Sequence, residues 1–135
     1  MIDSSAFVPA ADESHPLHAR ARKGFVKLSS ATCEAILTDH VFGESFTVIR
    51  RVLGNSAAAA FLKHMESSER SGALRLELIS REDLDSASNL VLRVRGQKFS
   101  FIDALNVAVA RRIGAASIFG FDHHFFTRFE FRRWI

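Results

Sequence analysis

Residues 99–122 have the sequence FSFIDALNVAVARRIGAASIFGFD, which predicts a helix followed by a buried strand. Ser100 and Asp103 have the spacing of a capping box, with Asp in place of the usual Glu, so a helix is expected to begin here. Gly114 is a typical helix terminator. Ser117–Phe121 is short and largely apolar, as expected for a strand inside a sheet. The segment therefore predicts one α/β unit.

The rest of the chain repeats this alternation. Further strands are predicted at Met1–Ser4, Cys33–Leu37 and Leu74–Ile79, with an edge-strand candidate at Phe129–Ile135. Helices are predicted at His15–Leu28, from Thr38 or Asp39 to Gly54, from Asn55 to about Ser71, from Arg81 to about Arg95 and from Ser100 to Ile113, with a short turn at His123–Phe126. Strands separated by helices form βαβ units. The predicted fold class is therefore α/β, with a central, mainly parallel sheet flanked by helices.

Length and composition indicate one globular domain covering residues 1–135, because 47% of the residues are apolar. Cys33 is the lone cysteine, and no apolar run approaches the roughly 20 residues that span a bilayer. We therefore expect a soluble, cytoplasmic protein without a membrane partner. The net charge of +3 suits a polyanionic partner but is also an ordinary surface balance.

Four acidic residues lie among strongly apolar neighbours, an unusual setting because a buried carboxylate is costly without a partner or a metal ion. They are Asp3, Glu44, Asp103 and Asp122. Two follow predicted strands and two lie on predicted helices. In an open α/β sheet these places face the crevice beyond the strand ends, where ligands bind. The four carboxylates are therefore expected to converge.

Converging carboxylates repel one another unless a cation compensates their charge. Oxygen ligands select Mg²⁺ or Mn²⁺ over zinc, and such ions support phosphodiester hydrolysis by activating water and neutralising phosphate. Each acid alone also has a purely structural interpretation. Asp3 would be a turn residue, Asp103 and Asp122 would be capping residues, and Glu44 would pair with Arg50 or Arg51.

The order and spacing of these motifs resemble the PIN-domain family, especially its VapC-like toxin branch. The resemblance rests on Ile-Asp3-Ser-Ser, on Glu44 in the second helix, on Phe99-Ser-Phe-Ile-Asp103-Ala-Leu and on Phe119-Gly-Phe-Asp122. It implies a Rossmann-like, three-layer PIN fold and a Mg²⁺- or Mn²⁺-dependent endoribonuclease that forms a homodimer and is inhibited by a small antitoxin. It also implies that the four acids are the metal ligands, with Asp3 and Asp103 foremost, and that Ser5 assists them.

Several other residues have both a functional and a structural interpretation. Arg50, Arg111, His123 and His124 are candidate RNA contacts, although arginines near helix ends also complement the helix dipole and turn histidines are commonly exposed. His15 and His18 suggest zinc, but the sequence supplies no companion cysteine pair. A non-catalytic binding module and a metal-dependent hydrolase of small phosphate esters remain alternative functions.

Overall fold

The computed structural model describes residues 1–94 and 99–135, in which parallel backbone segments form a central sheet. Strands β1 (Ala35–Thr38) and β2 (Leu74–Glu77) pair in parallel. On the other side of β1, the N–H of Ile2 donates to the carbonyl of Ile36 at 2.8 Å. Ile2 forms a parallel bridge with Phe119, and the preceding Ile118 bridges Arg133 in the same sense. The prediction of a mainly parallel α/β fold is confirmed.

All five predicted strands are shorter than expected, and three of them form no ladder. The segments Met1–Ser4, Ser117–Phe121 and Phe129–Ile135 contribute isolated bridges rather than continuous ladders. The first segment ends early because the side chain of Asp3 accepts from the Ser5 N–H and so caps the 3₁₀ turn that follows. The second segment ends early because the N–H of Phe121 donates to the hydroxyl of Ser5 instead of to a neighbouring strand. The predicted lengths were wrong, but the predicted places of these segments were right.

Helices connect the segments of the sheet. A 3₁₀ turn (Ser4–Ala6) leads into α1 (Phe7–Ala11), and the further helices are α2 (His18–Ser29), α3 (Asp39–Arg70), α4 (Arg81–Arg93), α5 (Phe101–Arg112) and α6 (His124–Thr127). The predicted start of α2 at His15 was wrong by about one turn, because Pro16 precedes a turn in which the N–H of Leu17 donates to the His15 ring. Arg95, the predicted end of α4, lies outside the described residues.

Helix α3 contains the predicted break at Gly54. This residue has φ 87° and ψ −179°, a conformation that divides α3 into arms 39–53 and 55–70. A residue with a Cβ is strained at such a positive φ, so glycine is required by the backbone here. The first arm follows β1 directly and carries Glu44. The second arm returns the chain to β2.

The apolar core lies on both faces of the sheet. Consecutive residues Ile118 and Phe119 enter different clusters, as expected for side chains that alternate across a strand. Phe119 packs with Leu37 and with residues of α3, whereas Ile118 packs with Val107 of α5. Trp134 packs against the first cluster. This layering leaves the carboxyl ends of the parallel segments at one edge. None of the helices in the described part of the chain is long and apolar enough to cross a membrane.

Candidate functional site

Asp3 is the buried centre of the candidate site. It directly follows the bridge residue Ile2 and is only 3% exposed. Its Oδ2 accepts from the Ser5 N–H at 3.1 Å and from the Ser5 hydroxyl, and its Oδ1 accepts from Asn106 Nδ2 at 2.9 Å. These bonds fix the carboxylate at the edge of the sheet.

Ser5 connects Asp3 to the segment that carries Asp122. Its Oγ accepts from the N–H of Phe121 at 2.8 Å while its hydroxyl proton is donated to Asp3. A Cβ placed on Gly120 would lie 2.8 Å from the Asp3 Cβ and 3.1 Å from the Asp3 Oδ2. The backbone of residue 120 therefore passes directly beside the carboxylate, a closeness that glycine alone permits. The auxiliary role predicted for Ser5 fits this geometry.

Asn106 and His40 belong to the same network and were missed by the sequence analysis. Asn106 is fully buried in α5, and its Oδ1 lies 3.1 Å from His40 Nε2. Burial lowers the pKa of His40, although Asp39 and Asn106 act in the opposite direction. The sequence offered one indication of Asn106: it is a single amide within the apolar run Ala104-Leu-Asn-Val107, one turn after Asp103.

Asp103 is half-buried in the first turn of α5 and forms the predicted capping box. Its Oδ2 accepts from the Ser100 N–H and from the Ser100 hydroxyl, each at 2.7 Å, and its own N–H donates to the Ser100 Oγ at 3.1 Å. The side chain is held through one oxygen, Oδ2. The capping role and a ligand role are therefore compatible, because Oδ1 lies outside the capping box.

Glu44 is half-buried on α3, and its Oε2 is a buried oxygen without a hydrogen-bond partner among the described residues. The alternative that Glu44 pairs with a nearby arginine is wrong for Arg50, whose Nε donates to Asn55 Oδ1 at 2.9 Å. Within residues 1–94 and 99–135 Glu44 has no ion pair at all. A buried, unpaired carboxylate oxygen requires compensation from elsewhere.

Electrostatic coupling identifies three of the acids as one group. Burial raises the pKa of Asp3 to about 6, the hydrogen bonds from Ser5 lower it in part, and the charges of Asp103 and Glu44 raise it further. Mutual repulsion of this kind is what a bound cation relieves. The Asp3 carboxylate therefore interacts with the charges of both Glu44 and Asp103.

Asp122 directly follows Phe121, whose N–H donates to Ser5. No hydrogen bond or ion pair among the described residues joins Asp122 to the other three acids. Its Oδ1 accepts from the N–H of His124 at 2.8 Å, so it closes the turn that leads into α6. Among the described residues, no three or more His, Cys, Asp or Glu side chains are grouped closely enough to hold a metal ion as they stand. The convergence of all four acids therefore stays a prediction.

The residues present fit a hard divalent cation better than zinc. The donor atoms are carboxylate oxygens, one of them buried and unpartnered, and oxygen ligands are those that Mg²⁺ and Mn²⁺ take. The histidines that suggested zinc have other bonds: His15 Nδ1 accepts from Leu17, and His18 Nδ1 lies 2.9 Å from the Pro9 carbonyl.

Three of the four candidate RNA contacts are exposed side chains. Arg50 is exposed and bonded to Asn55, and Arg111 lies over the Phe129 ring at 5.6 Å. His123 is exposed, whereas His124 is half-buried and its ring packs edge-on against Phe99. Contact with RNA stays a prediction for all four residues.

Similar known proteins include a ribosomal RNA endonuclease. The chain is 25% identical over 124 residues to the 23S rRNA-specific endonuclease VapC20 of Mycobacterium tuberculosis, strains CDC 1551 / Oshkosh and H37Rv, with 92% of this chain and 89% of the relative covered. A crystal structure of VapC20, a sarcin-ricin loop cleaving toxin, superposes with a TM-score of 0.77 at 24% identity, over 92% of this chain and 90% of that one. The family model of the PIN domain matches residues 1–131 of this chain. This chain belongs to the PIN-domain family.

Proposed function

We propose that this protein is an endoribonuclease that uses Mg²⁺ or Mn²⁺ held by Asp3, Glu44, Asp103 and Asp122. One observation carries the proposal: three of these carboxylates are coupled at a buried site in which the pKa of Asp3 is raised to about 6. Membership of the PIN-domain family and the similarity to VapC20 support the choice of RNA. Ribosomal RNA is the first substrate to test, because the relative acts on it.

The chain's own residues would prepare the site before any substrate binds. Ser5 and Asn106 hold the Asp3 carboxylate, Ser100 holds Asp103 by one oxygen, and the His124 N–H holds Asp122. Side chains fixed in this way lose little further entropy when they bind a ligand. A bound divalent ion supplies the remaining chemistry, since it lowers the pKa of a coordinated water and neutralises the phosphodiester.

The wider biological role is also a proposal. Similarity to VapC20 supports a toxin, and the family resemblance supports a homodimer that pairs with a small antitoxin. The lone Cys33 supports a location in the cytoplasm. Purified protein run alone and with a co-expressed neighbouring antitoxin on a calibrated light-scattering column would measure both assemblies. A protein that stays monomeric and does not bind the antitoxin would contradict this part of the proposal.

The test of the activity is cleavage of ribosomal and mixed RNA by purified protein with Mg²⁺ or Mn²⁺. EDTA should abolish cleavage, and so should Asp103→Asn, which keeps an oxygen for the helix cap. Asp83→Asn is the matched control, because Asp83 occupies the equivalent position in a second capping box. Equal cleavage by Asp103→Asn and the parent protein would show that the site is wrongly assigned.

A non-catalytic binding module is the second candidate. In this alternative the same carboxylates hold a structural ion or anchor a basic partner peptide. It predicts tight binding of a partner or of a metal ion with no cleavage of any RNA. Mn²⁺ binding measured beside the cleavage assay separates the two functions, because a metal-loaded protein that leaves ribosomal RNA intact supports the module.

A further inference from the structure

A hydrogen-bonded chain of three side chains runs from α3 through α5 to the candidate metal ligand Asp3. His40 Nε2 lies 3.1 Å from Asn106 Oδ1, and Asn106 Nδ2 lies 2.9 Å from Asp3 Oδ1. Asn106 is completely buried, and Asp3 is nearly so. The chain is therefore shielded from water where it meets the carboxylate.

The chemistry of the three groups permits one donor direction. An ionised carboxylate only accepts, so Asn106 must present its NH₂ to Asp3. The Asn106 oxygen then faces His40, and an amide oxygen also only accepts. His40 must donate from Nε2, which fixes its tautomer while the ring is neutral. The orientation of the amide is thus set at both ends.

The same bonds decide which part of Asp3 is left for a ligand. Two donors from Ser5 occupy Oδ2, whereas Asn106 alone occupies Oδ1. A carboxylate offers about four lone-pair sites in all, so the free one is on Oδ1. Turning the carboxylate would break bonds at both oxygens.

The Asn106 amide is an unusual side chain for its place in α5, because it lies within a run of buried apolar residues. His40 Nδ1 lies 3.6 Å from Asp39 Oδ1 and has no hydrogen-bond partner in the described ranges. An apolar residue at position 106 would leave the buried Asp3 Oδ1 without its donor and His40 Nε2 without its acceptor. The amide therefore does more than fill space in the core.

We propose that Asn106, oriented by His40, is a positioning residue that fixes Asp3 so that one Oδ1 lone pair would be left for a divalent ion. The inference rests on the proposed function, because it assigns to Asp3 the role of a metal ligand. Neither residue touches the ion or the RNA in this scheme. They act through Asp3, as outer hydrogen-bond partners of metal ligands commonly do.

The first test measures Mn²⁺ affinity by electron paramagnetic resonance on RNA-free protein. Asn106→Leu and His40→Leu should each weaken Mn²⁺ binding about 10–100-fold, the usual effect of removing an outer-shell partner. His40→Gln keeps an N–H donor and should restore the affinity to within about threefold of the parent. Thr38→Val is the matched control: Thr38 is also fully buried, with an unpartnered hydroxyl, and its loss should leave Mn²⁺ affinity unchanged.

The outcomes separate this inference from the proposed function. Parent protein that binds no Mn²⁺ would overturn both. Parent protein that binds Mn²⁺ while Asn106→Leu and His40→Leu bind it equally well would overturn only the positioning role. If His40→Gln loses as much affinity as His40→Leu, the hydrogen bond is not what matters and the proposal is wrong.

A second measurement needs no variant and so cannot be lost to misfolding. The ¹⁵N ring shifts of His40 in the parent protein at pH 8 report which nitrogen carries the proton. The proposed donor direction requires the Nε2–H tautomer. The Nδ1–H tautomer would contradict the chain of donors even if every leucine variant failed to fold.

Discussion

Two helices of this protein begin with the same capping box and use it for different purposes. Ser80 and Asp83 open α4, and Ser100 and Asp103 open α5. In each box the serine N–H donates to the aspartate Oδ2, at 2.9 Å in α4 and 2.7 Å in α5, and the aspartate N–H donates back to the serine at 3.1 Å. The two motifs cannot be distinguished by their local geometry.

Their surroundings differ in the presence of a cation. Arg112 Nε donates to both oxygens of Asp83, at 2.9 and 3.1 Å, and Arg112 Nη1 donates to Glu77 at 2.8 Å. Asp103 instead interacts with the like charge of Asp3, and it has no ion pair among the described residues. We refer to Asp83, Arg112 and Glu77 as the closed cluster, and to Asp3, Glu44 and Asp103 as the open cluster.

The pKa values express the same difference. Asp83 and Asp3 have similarly small exposed fractions, 2% and 3%, although Asp3 lies deeper in the protein, and burial raises the pKa of both. At Asp83 the hydrogen bonds from Arg112 and Ser80 outweigh burial, so the pKa is below its ordinary value. At Asp3 nothing outweighs burial, and the pKa is about 6. An acid that is buried without a cation is therefore the better candidate for binding one.

The largest expected effect is on cleavage. Asp103→Asn should slow RNA cleavage by at least about 1000-fold, equivalent to about 4 kcal/mol of barrier. Asp83→Asn should stay within about threefold of the parent at a temperature where it is folded, because the closed cluster takes no part in the chemistry. Initial rates on ribosomal RNA measure both. Equal losses in the two variants would remove the distinction between the clusters.

The second effect is on stability. Arg112→Met should lower the free energy of unfolding by about 2 kcal/mol, because it leaves the buried Asp83 carboxylate without its charged donor. Urea unfolding followed by circular dichroism measures the change. Arg111→Met, at the neighbouring exposed arginine, is the control and should change stability by less than about 0.5 kcal/mol. If Arg112→Met leaves the free energy of unfolding unchanged, the closed cluster does not stabilise the fold.

The third effect tests the need of the open cluster for a cation. Mn²⁺ at ten times its dissociation constant should raise the free energy of unfolding by about 1.4 kcal/mol. The gain should disappear in Asp103→Asn and persist in Asp83→Asn. Thermal melts with Mn²⁺ and with EDTA measure it. A gain that survives in Asp103→Asn would place the ion elsewhere on the protein.

The smallest effect is the pH dependence of the closed cluster. The hydrogen bond from Arg112 holds the pKa of Glu77 below its ordinary value, and the pKa of Asp83 is also low. The resulting stability is complete above the ordinary carboxyl values near 4 and is lost as pH falls through the lower folded values. The stability gap between parent and Arg112→Met should therefore shrink by about 1 kcal/mol between pH 5 and pH 3. Urea unfolding across this range would contradict the prediction if the gap stayed constant.

The sequence by itself determined the order of the elements and predicted which acids form the candidate site. Alternating strand and helix patterns require a parallel sheet, Gly54 breaks α3 because its backbone takes a positive φ, and Ser100-Phe-Ile-Asp103 caps α5 because the spacing allows both hydrogen bonds. The four acids were found because their apolar neighbours make an isolated charge costly. These are local or pairwise rules, so a sequence is enough to apply them.

Only the tertiary structure decided what those acids meet. The same capping box occurs before Asp83 and Asp103, but Arg112 reaches the first from another helix, 29 residues away along the chain. Asn106 lies 103 residues from Asp3 and 66 from His40, so no pattern in the sequence connects the three. Such contacts depend on how helices pack on the sheet, and the packing places a cation at one buried carboxylate while leaving another without one.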